Sequence, residues 1–423
     1  MRFIADLHIH SKYSRATSRD MVPEELWKWA QLKGITVLGT GDFTHPAWFA
    51  ELREKLEPAG RGLFSLRKEF QSKEVPGSCK GDVFFMLSSE ISSIYKKNGK
   101  TRKVHSIVYL PDFADAAKLN LALSRIGNIN SDGRPILGLD AKELFKIVRE
   151  LCPNGLYVPA HAWTPHFSVF GAESGFDSLE ECFDELAPEI AAIETGLSSD
   201  PGMNWMWSAL DRLTLISNSD AHSPAKIGRE ANIMDTECAY DSIAAAIRTK
   251  KGFLGTIEFF PEEGKYHYDG HRTCGVNLSP EQTIKGNYLC PTCGKKVTVG
   301  VLHRVEKLAD RKDSVRPKGA RPYYSIIPLP EIIGESLQVG PGSKAVEAEY
   351  RSLLQRLGSE FKILLDSSLE DIERAASPLI REAISRMRAG KIHITPGFDG
   401  EYGRIKIFEG AERKEIKGQA ALF

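Results

Sequence analysis

The run Phe3-Ile4-Ala5-Asp6-Leu7-His8-Ile9-His10 opens the chain and decides how the rest is read. Side chains alternate in direction along a strand, so His8 and His10 project to one side, where two imidazoles can grip one metal ion. The residues before them are mostly apolar. The run is therefore a buried strand whose C-terminal end carries polar chemistry, which is where α/β barrels place their active sites.

The same arrangement recurs downstream. Ile35 to Asp42 is a β-rich run ending in a carboxylate, with His45 just beyond. Val83 to Glu90 ends in Glu90, Val104 to Leu110 carries His105, and Leu156 to His161 ends in His161. Leu213 to His222 ends in Asp220-Ala221-His222. Glu194, ahead of Thr195-Gly196, reads as a helix N-cap. Helical patterns such as Pro23 to Leu32 and Ala141 to Leu151 alternate with these runs, predicting parallel strands joined by crossover helices. Histidines and carboxylates at successive strand ends converge on one rim, and so large a set points to a metal centre. Mixed imidazole and carboxylate ligands suit zinc, manganese or iron better than magnesium alone.

With 423 residues the chain exceeds one ordinary domain. Hydrophobic content of 42% supports a sizeable core. No uninterrupted apolar run reaches the roughly 18 residues a membrane span needs, and the N-terminus enters a strand without a signal-peptide pattern. Seven cysteines, an odd number, argue against a disulfide framework. A cytoplasmic protein without a membrane association, and a monomer, is the expectation.

A second signal lies after Phe260. His271-x2-Cys274 and Cys290-x2-Cys293 are two knuckles with the spacing of one tetrahedral zinc. A Cys3His set leaves no open position, so this zinc is structural. His267 competes with His271 for the fourth place, and the x2 spacing favours His271. A redox Cys-x-x-Cys is the other reading, without the βαβ context it needs.

The chain is formally neutral, so no global field draws it to nucleic acid. Positive charge is local. Lys295, Lys296 and Arg304 lie in or just after the zinc segment, and Lys96, Lys97, Lys100, Arg102 and Lys103 form a second cluster. Within the latter, Asn98-Gly99 predicts a tight hairpin turn between the strands of Glu90 and His105. Two basic clusters beside a metal rim favour a polyanionic backbone, DNA, as partner. After residue 304 the chain changes character. Glu347 to Leu357 and Leu369 to Ala389 are helical patterns, and Ile392 to Gly400 and Gly403 to Phe408 read as short strands around a Gly-rich turn.

The order His-x-His, Asp, Glu, two single histidines, Asp-x-His resembles the polymerase and histidinol phosphatase (PHP) superfamily, whose members are distorted (βα)7 barrels with a trinuclear site that hydrolyses phosphate esters. The resemblance implies His8, His10, Glu90 and Asp220 around a first metal, Glu90, His105 and His161 around a second, and His222 at a third. The superfamily has Asp-His after strand two; here Asp42 is followed by Phe43, and His45 is the substitute. The whole order, an α/β PHP barrel (residues 1–260), a Cys3His zinc-ribbon-like module (261–303) and a small α/β C-terminal domain (304–423), resembles the endonuclease Q family. Gly39 to Pro46 and Tyr266 to Arg272 are its most specific stretches. That resemblance implies a DNA repair endonuclease with two or three divalent metals (Zn, Mn, Fe or Mg) and one structural Zn. Such an enzyme nicks 5′ to deaminated bases and abasic sites, with Asp42 joining the catalytic set. A small-molecule phosphatase, a nuclease without lesion preference and a DNA-binding adaptor with a degenerate barrel are the competing readings. Finally, Gln419, Leu422 and Phe423 match the front of a peptide that docks on the sliding clamp.

Overall fold

The computed structural model describes residues 1–410, 412, 413 and 416. The tail residues Gln419, Leu422 and Phe423 lie outside the described residues.

The strands that matter are β1 (Arg2–Asp6), β2 (Val37–Gly39), β3 (Phe84–Lys97), β4 (Lys100–Leu110), β5 (Leu156–Pro159), β6 (Ala192–Glu194), β7 (Thr214–Ile216), β8 (Ala231–Asp235), β9 (Phe253–Glu258) and β10 (Tyr323–Ser325). Parallel pairing holds for β1–β2, β2–β3 and β6–β7. Elsewhere the expected all-parallel order gives way to antiparallel ladders. β3 and β4 form one long hairpin, β4 pairs antiparallel with β5, and β1 pairs antiparallel with β8. For the β3–β4 hairpin the cause is connection length. Asn98 and Gly99, both in the left-handed region (φ 53° and 72°), turn the chain back at once, with no room for a crossover helix.

No ladder among the described residues joins β5 to β6 or β7 to β1. Backbone hydrogen bonds beyond the strand ends span these gaps: Ala162 N–H to Glu194 O (2.9 Å), Asp220 N–H to His8 O (2.9 Å) and His10 N–H to Ala221 O (3.0 Å). The expected seven-stranded barrel is thus not a continuously hydrogen-bonded one. Leu7 and Ile9 alternate with the histidines and are fully buried, which anchors the strand end from behind.

Helices Pro23–Lys33 and Ala141–Leu151 form where the sequence pattern places them. In the last third the expected continuous helix over Leu369 to Ala389 is broken into Leu369–Ala375 and Pro378–Arg388. Pro378 disfavours helical backbone at Ser377, whose side chain instead caps the next helix. With Leu329–Leu337 and Lys344–Leu357, these helices carry the core of the C-terminal unit, and His393–Thr395 pairs antiparallel with Arg404–Lys406. β10, although it follows residue 304, adds to the N-terminal sheet, parallel to β9. No helix of the described residues is long and apolar enough to cross a membrane.

Candidate metal centres and their surroundings

The alternation of β1 is extended by four residues past its last ladder pair at Asp6, so His8 and His10 face one interior space. Glu90 enters it from the middle of β3, not from a strand end, because β3 runs on to Lys97. His105 on β4 pairs with Ser92, the same-face neighbour of Glu90. His161 follows β5, and Asp220 follows β7. Asp42, His161 and Asp220 all have positive φ (50°, 26° and 46°), a region that Asp and His tolerate better than most residues. These three ends bend sharply, which aims side chains inward at a cost in backbone strain.

Two sets of ligand atoms result. In His8, His10, Glu90 and Asp220 all lie within 4.8 Å of one another, as they do in Glu90, His105 and His161. Glu90 belongs to both. Its Oε2 is 3.3 Å from His10 Nε2, and its Oε1 is 2.6 Å from His105 Nδ1 and 2.9 Å from His161 Nε2. Asp220 Oδ1 is 3.0 Å from His10 Nε2. His8 Nε2, His10 Nε2 and Asp220 Oδ1 are buried with no hydrogen-bond partner. Orphaned polar atoms of this kind, turned toward one another, fit divalent cations.

The far side of each ring is held. His8 Nδ1 lies 3.0 Å from Glu194 Oε1, and Glu194 also accepts hydrogen bonds from His161 N–H (2.8 Å) and Asn218 Nδ2 (2.9 Å). His10 Nδ1 lies 3.0 Å from Asp42 Oδ1, whose other oxygen accepts from Ser11 N–H (2.6 Å) and Ser14 Oγ (2.8 Å). Carboxylates behind imidazoles fix the tautomer that leaves the other nitrogen free for a metal. Asp42 therefore stands behind a ligand. Glu194 does likewise, which corrects its reading as a helix cap.

Charge follows the geometry. Burial works against a charged His8 and His10, but Glu194 beside His8 and Asp42 beside His10 push both well above the ordinary imidazole range. Burial lowers His105 to about 4, against the pull of Glu90. Burial would raise Glu90, yet His105 and Arg134 hold it well below the usual carboxylate range. Arg134 reaches Glu90 Oε2 with its Nη1 at 3.0 Å. Sequence reasoning did not find Arg134, which lies in a polar loop without periodicity.

Two expected third-site residues join neither cluster. His222 packs its ring 4.6 Å from that of His10, and its Nδ1 lies 2.9 Å from the Asp220 carbonyl. His45 is engaged elsewhere, with Nε2 3.0 Å from the Asn130 carbonyl and its ring stacked on Tyr13 at 4.4 Å.

The knuckles bring His271, Cys274, Cys290 and Cys293 together, with all four ligand atoms within 4.8 Å. Gly294 (φ 70°) makes the tight turn after Cys293, and its N–H returns to Cys290 O at 2.9 Å. His267 is not in this set. It is buried, and burial lowers it to about 4. Among the basic residues, Lys96, Lys100, Lys295 and Lys296 are exposed. Lys97 instead binds Asp184 and the Cys182 carbonyl (both 2.9 Å), and Lys103 lies over the Phe167 ring. Arg102 is buried, stacked on Phe176 and bonded to the Gly175 carbonyl. Arg304 is buried too, donating to the carbonyls of Phe170 and Phe176 (both 2.9 Å) and to Asp177 (2.7 Å). Arg102 and Arg304 thus anchor the loop after His161 and are not free for a partner.

Comparison with known proteins places these features. The family described as MJ0043 C-terminal domain matches residues 328–391. MJ0043 of Methanocaldococcus jannaschii is 35% identical over 255 residues, 58% of this chain, and the match spans only 31% of that longer protein. YqxK of Bacillus subtilis is 30% identical over 420 residues, covering 96% of this chain and 99% of its own length. Among solved structures, the lesion-specific endonuclease PfuEndoQ of Pyrococcus furiosus superposes with a TM-score of 0.84 at 33% identity, covering 97% of this chain and 96% of its own. Endonuclease Q bound to a 27-mer duplex with an abasic lesion at its active site gives 0.82 at 33% identity, with 98% of both chains covered. A likeness that covers nearly the whole length of each chain admits one conclusion: the chain belongs to the endonuclease Q family.

Proposed function

We propose that this protein is a metal-dependent DNA repair endonuclease. It hydrolyses the phosphodiester 5′ to deaminated bases (deoxyuridine, deoxyinosine, deoxyxanthosine) and to abasic sites, leaving 3′-hydroxyl and 5′-phosphate ends. The observation that carries the reading is Glu90, one buried carboxylate shared by two ligand sets, as a paired cation site would require. The full-length likeness to a lesion-specific endonuclease, and to one captured on abasic-lesion duplex, supports DNA as the substrate.

Divalent cations held by His8, His10, Glu90 and Asp220, and by Glu90, His105 and His161, would neutralise a phosphodiester's charge and lower the pKa of the attacking water. The protein's own part is orientation. Glu194 and Asp42 hold His8 and His10 with their free nitrogens inward, and the bends at His161 and Asp220 bring distant strands to one point. The two ligand sets consist of histidines and carboxylates, a chemistry suited to direct attack by water. The Cys3His set would hold a structural zinc. A monomer working in the cytoplasm, and clamp binding through the tail, complete the proposal.

The test uses end-labelled duplexes carrying one deoxyuridine, one deoxyinosine, one abasic site or none, incubated with divalent metal or with a chelator. Nicking 5′ to the lesion, absent with chelator and in Asp220→Ala, is expected. Equal cleavage of the undamaged duplex would leave a nuclease without lesion preference. Turnover of phosphomonoesters alone would make the protein a phosphatase.

A further inference from the structure

Two guanidiniums at the rim take no part in orienting the clustered imidazoles. The segment 125–135 runs from the end of helix Phe113–Ser124 to the short strand Ile136–Leu137, which pairs with β3 beside Glu90. It is locked onto the site. Gly133 N–H donates to the Tyr13 carbonyl at 3.0 Å. A Cβ on Gly133 would lie 2.2 Å from Asp42 Oδ2 and 2.4 Å from Ser14 Oγ, so only glycine fits. Asp132, 5% exposed, accepts from Arg134 N–H at 3.1 Å and pairs with Arg15 Nε at 3.3 Å. One carboxylate thus tethers both arginines, Arg15 by its side chain and Arg134 by its backbone.

The Arg134 side chain, 25% exposed, points Nη1 at Glu90 Oε2 from 3.0 Å. When cations occupy the two ligand sets, this guanidinium stands among like charges. The cations then share Glu90 with it, and a bound anion would restore the balance of charge around it. A guanidinium offers forked N–H donors that match phosphate oxygens, and only one of them is used on Glu90. Arg15, 76% exposed, lies farther out along the same rim.

We propose that Arg134 is a ligand of the scissile phosphate and that Arg15 takes a neighbouring phosphate of the same strand. The proposal rests on the nuclease reading and names the groups that make it specific for a polyanionic backbone. Arg134→Ala is expected to cut kcat on a lesion duplex by about 100-fold, the scale of one lost transition-state donor, while elemental analysis finds wild-type metal content. Arg134→Lys, which keeps the charge but not the fork, should recover part of that loss. For Arg15→Ala, the slope of log Kd for duplex DNA against log salt should fall by about one, the value of one phosphate contact. Inorganic phosphate, titrated calorimetrically into manganese-loaded protein, should bind wild type and not Arg134→Ala. Wild-type phosphate binding in Arg134→Ala overturns the assignment, and so does metal loss in that variant, which would make Arg134 a neutraliser of Glu90. If wild type binds phosphate through Arg134 but never nicks DNA, the nuclease reading falls and the phosphate site stands.

Discussion

Both oxygens of Glu194 are committed, to His8 Nδ1 at 3.0 Å and to the His161 N–H at 2.8 Å, so one buried carboxylate governs a residue of each ligand set. Glu194→Gln keeps the shape and loses the charge. Removing such a partner typically costs about 10–100-fold in metal affinity or activity. We therefore expect Glu194→Gln to fold normally by circular dichroism and to require more metal for half-maximal nicking; unchanged metal dependence would refute the role. A different pair, Glu230 and Glu258, shows the opposite electrostatics. Burial, then their mutual repulsion for Glu230, pushes both carboxyls well above the ordinary glutamate value of 4.5. A raised carboxyl stabilises the fold fully below its ordinary value, and that contribution is lost as pH rises through the raised one. Wild type should then lose melting temperature as pH rises above the ordinary value of 4.5, and Glu258→Gln should lose less; parallel melting curves would count against this. At this scale His8, His10, His105, His161 and Asp220 were legible because each closes or occupies an apolar run. Glu194 was not, because a glutamate before Thr-Gly looks the same whether it caps a helix or backs a ligand. His45 misled because nearness to Asp42 in sequence says nothing of which way a ring turns.

The β3–β4 hairpin shows what an element's pattern conveys and what it hides. Asn98-Gly99 announced the turn, and the turn forms. The five basic residues around it looked equivalent, but their exposure differs with the register: Arg102 points into the protein, Lys97 is tied to Asp184, and Lys96 and Lys100 stay exposed. Lys96→Ala with Lys100→Ala should weaken duplex binding and lower its salt slope by up to about two without changing the melting temperature. Arg102→Ala should instead lower the melting temperature. The reverse pattern, measured by anisotropy and calorimetry, would show that the tip does not meet DNA. That His271, Cys274, Cys290 and Cys293 gather was legible, since two short spacings bring four side chains to one place. The mixed sheet was not, because an apolar run carries no sign of its neighbour's direction, and the helix over Leu369 to Ala389 was overrun because periodicity hides a proline break.

Across the whole molecule, Lys33 at the end of helix Pro23–Lys33 meets Glu360 of the C-terminal unit at 2.8 Å, with the side chains 5% and 2% exposed. Tyr350 Oη and Leu329 N–H also donate to Glu360, at 2.8 and 3.0 Å. Breaking one side of a buried pair leaves a charge without its partner, at a cost of about 3–5 kcal/mol. Lys33→Met should lower stability by that order in chemical denaturation, whereas Lys33→Met with Glu360→Gln should recover much of it; a neutral single variant would mean water reaches the pair. No sequence pattern links residues 33 and 360, because long-range pairing leaves no local trace. The far end of the same unit is fastened as well. Gly397 accepts from Tyr268 N–H at 2.9 Å, and Asp399 accepts from Arg272 N–H at 2.7 Å, on the turn that leads into Cys274. The C-terminal unit is therefore tied to the rest of the molecule at two separate places, at Glu360 and at Gly397 to Asp399. Oxidation of the gathered Cys274, Cys290 and Cys293 thiols should therefore slacken this second fastening, exposing protease sites near residue 400 before the first strand loosens.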